Sequence, residues 1–285
     1  MSIFRYNIPI SLSMRGSLMN SLLFCPICQA YLRPTDSSCS SCGRERLLAE
    51  IPLEPGKPLW SAYLPGSARG QPVVCDGLVL FAWGTSYAGG GLGALDRLTS
   101  KVCWTREVEH NPQTGPVLQG DRVYLAASGL GKSSLACWRL LDGERMWSES
   151  FPGFVSSLPL LGEKRIFIST NDGHLHAFDS LDGTPLRGWP QQLEPGKLWL
   201  LHYANRLLAV SENGGIYILD SYSHTGAPAR AFSFGVKLTS PPALSKDTLY
   251  CGADGGQLLA LNLKDGRPRV LAGGLKKIVA APLCT

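Results

Sequence analysis

Four of the nine cysteines fall in one stretch, CPICQAYLRPTDSSCSSCGRE, where Cys25, Cys28, Cys39 and Cys42 follow the pattern C-x2-C-x10-C-x2-C. Two residues between paired cysteines let the chain turn back so that both sulfurs face one ion, and two such turns supply four thiolates to a tetrahedral site. Zinc is the natural occupant. Iron is the alternative, because the same ligand set suits it. A four-thiolate site leaves no position for water, so its role is structural. Gly43 follows the last cysteine, where a turn that aims backbone amides at sulfur needs a positive φ. So short a segment cannot build a core, and metal binding would supply most of its folding free energy. Two disulfides or clustered free thiols are the competing reading, which nothing secretory upstream favours.

Other residues invite chemical readings that weigh less. Asp96, Asp179 and Asp220 recur at one position of a repeat and could be general acids or metal ligands. A short carboxylate before a turn more often accepts the amides of that turn, and the DG pairs at Asp142, Asp182 and Asp265 are turn formers by the same argument. His174 and His176 stand two apart on one expected strand and share a face, but no third ligand is in view. ASGLGKSS ends like a phosphate loop, yet Ala126 holds the place of its first glycine; in YAGGGLGA, Ala94 holds the place of the last glycine of a dinucleotide fingerprint. Both read as hairpin loops. Trp60, Trp104, Trp147 and Trp189 could stack sugars or bases; their regular recurrence favours packing between repeats. Cys75, Cys103, Cys137, Cys251 and Cys284 are scattered through strand-like segments, as small buried hydrophobes in a reducing compartment would be.

The elements that carry these residues repeat. GALDRLTSK, ACWRLLDGE, HAFDSLDGT, YILDSYSHTG and LALNLKDGR share a pattern anchored at Asp96, Arg139, Asp179, Asp220 and Asn262, spaced 43, 40, 41 and 42 residues apart. The intervals Trp60 to Pro72, Trp104 to Pro116 and Trp147 to Pro159 are each 12. Within a unit, runs such as VYLAA, IFIST and LLAVS alternate with turn signals NDG, ENGG and ADGG, and no segment keeps a helical period. Four short strands per unit of about 40 residues describe a propeller blade; a two-sheet sandwich is the competing fold.

The repeat resembles the PQQ-like repeat of quinoprotein-type β-propellers, most clearly in HLHAFDSLDGTPLRGWP and GQLLALNLKDGRP, and the match covers residues 55 to 285. The cysteine cluster resembles the zinc ribbons at the ends of many bacterial proteins. The resulting expectation is an all-β chain: an N-terminal tail (1–22, expected to be disordered), a zinc ribbon (23–46), a linker (47–57) and a propeller of five full blades plus a partial one (58–285). The fifth unit is followed by the opening of a sixth at Pro282, so the expectation is a truncated propeller with exposed, association-prone edges, or else a partial propeller closed by a partner. Met14 or Met19 are alternative starts.

Composition narrows function. The chain has 27 Lys and Arg against 22 Asp and Glu, spread without runs, so no nucleic-acid partner is expected; no apolar run is long enough for a membrane helix, and no export signal is evident. A cytoplasmic location follows. Quinoprotein dehydrogenases resemble one another in a vicinal Cys-Cys pair, which this chain lacks. The expectation is a non-catalytic scaffold that binds protein through a propeller face, holds structural zinc and does not need PQQ. A quinoprotein-type oxidoreductase and a small-ligand sensor are the alternatives.

Overall fold

Short apolar runs separated by Gly- and Asp-bearing turns encode hairpins, and in the computed structural model four of the five repeat sheets are four-stranded antiparallel meanders, while sheet 2 carries a fifth short strand. The structure describes residues 23–24, 31–32, 60, 62, 64–85, 89–220 and 228–282. Sheet 1 runs Ser67–Cys75, Leu78–Gly84, Gly90–Asp96, Val102–Val108. In sheet 2, Arg122–Ser128 pairs with Asn111–Pro112, Val117–Gln119 and Lys132–Arg139, and Arg145–Pro152 follows at the edge. Sheet 3 runs Leu160–Leu161, Arg165–Ser169, His174–Asp179, Gln191–Gln192; sheet 4 runs Leu198–Tyr203, Arg206–Ser211, Gly215–Leu219, Pro228–Ser233. Sheet 5 runs Ala243–Ser245, Thr248–Ala253, Gln257–Asn262, Pro268–Ala272. No helix among the described residues is long and apolar enough to cross a membrane.

The middle strands are buried along almost their whole length, as in Leu78–Gly84 and Arg122–Ser128. The outer strands Val102–Val108 and Arg145–Pro152 are mostly exposed, with Trp104 and Trp147 turned inward. That difference explains why middle strands read as continuous apolar runs while outer strands mix charges with a single large ring. The last strand of sheet 3 shrinks to Gln191–Gln192, because Pro185 and Pro190 withdraw ladder donors.

By contacts the chain divides into two compact units: Met1–Val123 with Trp138–Arg145, and Tyr124–Cys137 with Met146–Thr285. In the first, Val79, Phe81, Trp83 and Leu95 form a core cluster that packs against Trp60, Ala62 and Leu64. In the second, Phe167, Leu175 and Ala177 of sheet 3 meet Leu198, Leu207 and Ala209 of sheet 4. The other face of sheet 4, through Leu208, Val210 and Ile216, meets Leu249, Cys251 and Leu261 of sheet 5. Burying both faces of a sheet in this way is how a repeat that lacks a core of its own becomes stable.

A separate two-stranded hairpin pairs Leu23 with Leu32 and Phe24 with Tyr31. In sequence, Cys25 and Cys28 stand between its strands. These two, with Cys39 and Cys42, lie outside the described residues, as do the tail 1–22 and the linker 47–57.

The glycine-rich stretch expected as a loop is mostly strand: Gly90–Asp96 is the third strand of sheet 1. Its glycines make room for rings on the neighbouring strand. A Cβ on Gly93 would sit 2.6 Å from Phe81 Cζ, and one on Gly91 would fall on the Trp83 indole. The other stretch is a hairpin turn, closed by a bond from Gly129 N–H to Lys132 O at 2.7 Å.

Candidate functional site

The recurrent acids are tied up in turns. Asp96 Oδ1 accepts the amides of Leu98 (3.1 Å) and Thr99 (2.8 Å); Asp179 Oδ1 accepts Leu181 N–H at 2.7 Å, and Asn262 Oδ1 accepts Lys264 N–H at 2.8 Å. The second acids act likewise: Asp142, Asp182 and Asp265 accept the amides of Glu144, Thr184 and Arg267 at 2.9–3.0 Å. The Thr184 amide holds the Asp182 carboxyl below its ordinary value. Arg139, which replaces the anchor acid in the second unit, forks onto Asp142 and also pairs with Glu144. The fourth anchor, Asp220, borders residues 221–227, which lie outside the described residues.

The tryptophans latch one repeat to the next. Trp60, Trp104 and Trp147 each donate their indole N–H to the carbonyl one residue past the next anchor: Arg97 O at 2.7 Å, Leu140 O at 2.9 Å and Ser180 O at 3.3 Å. Each ring needs a flat seat. Gly143 and Gly183 provide it, with φ of 69° and 80°, and a Cβ on Gly183 would lie 2.5 Å from Trp147 Cε3. Ser100 occupies the same turn position in the first unit at φ 57°. Gly183→Ala should therefore lower stability by about 1–3 kcal/mol, while Ser100→Gly should leave it equal or slightly higher; urea unfolding measures both. Trp189 does not belong to this series. It stands two residues further from its anchor, packs on Phe167 at 5.5 Å, and its buried indole nitrogen has no partner among the described residues.

The two histidines share a face as the spacing requires, with ring centroids 6.1 Å apart. Asp172 Oδ2 lies 3.1 Å from His174 Nδ1, and His176 is buried between Phe151 and Phe178. Burial, aided by the nearby His174, pushes the His176 imidazole down to about 4. Among the described residues no three side chains of His, Cys, Asp or Glu are grouped to hold a metal. Cys137 and Cys251 are buried, and burial pushes the Cys251 thiol up to about 12, far from reactive thiolate chemistry. A cleft of about 350 Å³ opens in the second unit beside Lys164, His202 and Arg206, over Phe167 and Leu186.

The most distinctive surface of the second unit is one end of its sheets, where hairpin turns alternate with the connections between sheets. The same backbone bond recurs three times: Asn171 N–H to Phe154 O (2.8 Å), Glu212 N–H to Lys197 O (2.9 Å) and Asp254 N–H to Lys237 O (2.9 Å). A second series runs from Leu193, Phe234 and Leu275 to the carbonyls of Gly173, Gly214 and Gly256, at 2.8–3.1 Å. The turn Gly129–Lys132 joins the row where Ser133 Oγ donates to Gly153 O (2.7 Å) and Val155 N–H donates to Ser128 Oγ (3.0 Å). Turn and connection are thus clasped into a fixed platform.

Large apolar side chains stand out on that platform. Leu130 is 100% exposed at its turn tip, and Phe154, Leu158, Val236, Leu275 and Val279 are also exposed. Exposed apolar groups held on rigid backbone are the character that partner-binding surfaces share. Sequence reasoning named a propeller face but none of these residues. The available signal was a large apolar residue inside turn chemistry, as in GLGK, PGFV and GGLKK.

Antiparallel four-stranded repeats, latched ring to turn, define a β-propeller of PQQ-like repeats. Residues 36–129 and 88–269 match the family described as outer membrane protein assembly factor BamB, and the chain belongs to that family. It is 25% identical over 255 residues to the outer membrane protein assembly factor BamB of Moranella endobia (strain PCIT), covering 81% of this chain and 60% of that relative. The chain thus spans less than two thirds of that relative's length. BamB from Moraxella catarrhalis has a similar fold, with a TM-score of 0.60 at 18% identity over 76% of this chain and 67% of that one. The computationally designed Ika8 protein is similar too, with a TM-score of 0.63 at 16% identity over 78% of this chain and 68% of that one.

Proposed function

We propose that this chain is a non-catalytic scaffold that docks a protein partner on the loop end of its second unit. The observation that carries the reading is the row of exposed apolar side chains, Leu130 to Val279, on a backbone clasped by repeated hydrogen bonds. The relatives' name, outer membrane protein assembly factor, supports a role in assembling other proteins. The test is affinity capture from the native host with the wild type, with Leu130→Asp/Phe154→Asp, and with Val102→Asp as a control on an outer strand. A specific partner should be retained by wild type and control and lost from the double variant. Equal capture by all three would refute the site.

The four-cysteine cluster is proposed as a structural zinc ribbon, which the hairpin bracketing Cys25 and Cys28 supports. Elemental analysis should give one zinc per chain, and Cys25→Ser/Cys28→Ser should abolish it. A metal-free protein with two disulfides would overturn this. Thiolate ligation needs reduced cysteines, so the reading places the chain in the cytoplasm; cell fractionation tests that against the envelope context of the relatives' name.

A further inference from the structure

We infer that the segment received by this loop end carries carboxylates among apolar side chains. This rests on the scaffold reading above and adds the chemistry of the partner. Val236–Lys237, Asp254–Gly256 and Leu275–Val279 form one continuous patch, held by Asp254 N–H to Lys237 O, Leu275 N–H to Gly256 O, and Thr239 Oγ1 to Ile278 O at 2.6 Å. Ile278 anchors it: a Cβ on Gly252 would lie 2.5 Å from Ile278 Cβ, so the side chain seats directly on that glycine of sheet 5.

The patch exposes Val236, Leu275 and Val279 beside Lys237, Lys276 and Lys277, with Asp254 as its one acid. None of the three lysines has an acidic partner among the described residues. A fourth cation without an acidic partner among the described residues, Lys132, flanks Leu130, Phe154 and Leu158 at the other end of the row. An apolar floor rimmed by unpaired cations suits a chain that inserts apolar side chains and presents carboxylates to the rim. An anionic bilayer fits worse. Along the row of clasped turns between the two apolar spots come Asp172, Glu194, Lys197 and Glu212, polar groups that hydrocarbon would not admit.

The test uses the whole chain and labelled peptides of alternating leucine and glutamate, or leucine and lysine, read by fluorescence anisotropy. The acidic peptide should bind, weaken as salt rises from about 50 to about 300 mM, and lose about tenfold in affinity to Lys237→Glu/Lys276→Glu/Lys277→Glu. Circular dichroism confirms that the variant folds. The same charge reversal should weaken capture of the host partner. If the host partner is lost from Leu130→Asp/Phe154→Asp but is indifferent to the charge reversal and to salt, this inference fails and the scaffold reading stands. If neither peptide nor host protein binds, both fail. Co-sedimentation with phosphatidylglycerol vesicles in place of peptide binding would overturn the inference in favour of a lipid surface.

Discussion

Replacing Trp147 with alanine should lower the free energy of unfolding by about 3–5 kcal/mol, among the largest single-residue effects expected in the second unit. The ring is buried, seated on Gly183, tilted against Tyr124 at 5.9 Å, and bonded to Ser180 O. Deleting it opens a cavity between two sheets that rigid turns keep from collapsing. Trp147→Phe separates packing from hydrogen bonding: the phenyl keeps most of the contact, and Ser180 O still accepts from Tyr124 Oη at 3.1 Å, so the loss should be only about 1 kcal/mol. Urea unfolding of both variants gives the ratio. Equal losses would show that the bond and not the ring holds the sheets together.

The second large effect depends on pH. His176 is 5% exposed, its Nε2 has no hydrogen-bond partner among the described residues, and burial pushes its imidazole down to about 4 from 6.5. The unfolded chain takes up this proton near pH 6.5, and the folded chain resists it until near pH 4. Stability from this group is therefore complete above pH 6.5, falls as pH drops through the window, and levels off below 4. Each pH unit in the window removes ~1.4 kcal/mol, about 3 kcal/mol in all. The pH dependence of the stability difference between wild type and His176→Phe reports the effect. The variant should be at least as stable at pH 7 and distinctly more stable at pH 5. Parallel curves would show that His176 is solvated or paired in the folded protein.

The fold was legible because a latch of one ring, one carbonyl and one glycine recurs at fixed sequence offsets, and such offsets survive in a string of letters. Trp104 and Trp147 each stand eight residues past their anchors, while Trp189 stands ten past its own, and that difference of two separates latch from core filler. The fifth unit shows the other limit. Val270 takes the tryptophan position there and is 61% exposed. The glycines of Gly90–Asp96 look like a loop in sequence, because turn chemistry and room for a ring look alike until Trp83 and Phe81 are placed. Arg139 lost the anchor acid, yet its guanidinium recovers the turn through Asp142 and Glu144, a substitution visible only once those carboxylates are in space. The loop end was the least legible part. Its character depends on which turn residues escape burial, and exposure is decided by the neighbouring repeat.

A protein partner seated on the loop end of the second unit is tested most directly by hydrogen exchange of the captured complex. Amides in 129–132, 153–158, 234–238 and 274–279 should slow on binding, while the outer strand Val102–Val108 and the turns 162–165 and 203–206 should exchange as in the free chain. Protection confined to those last segments, with the loop end unchanged, would contradict the account.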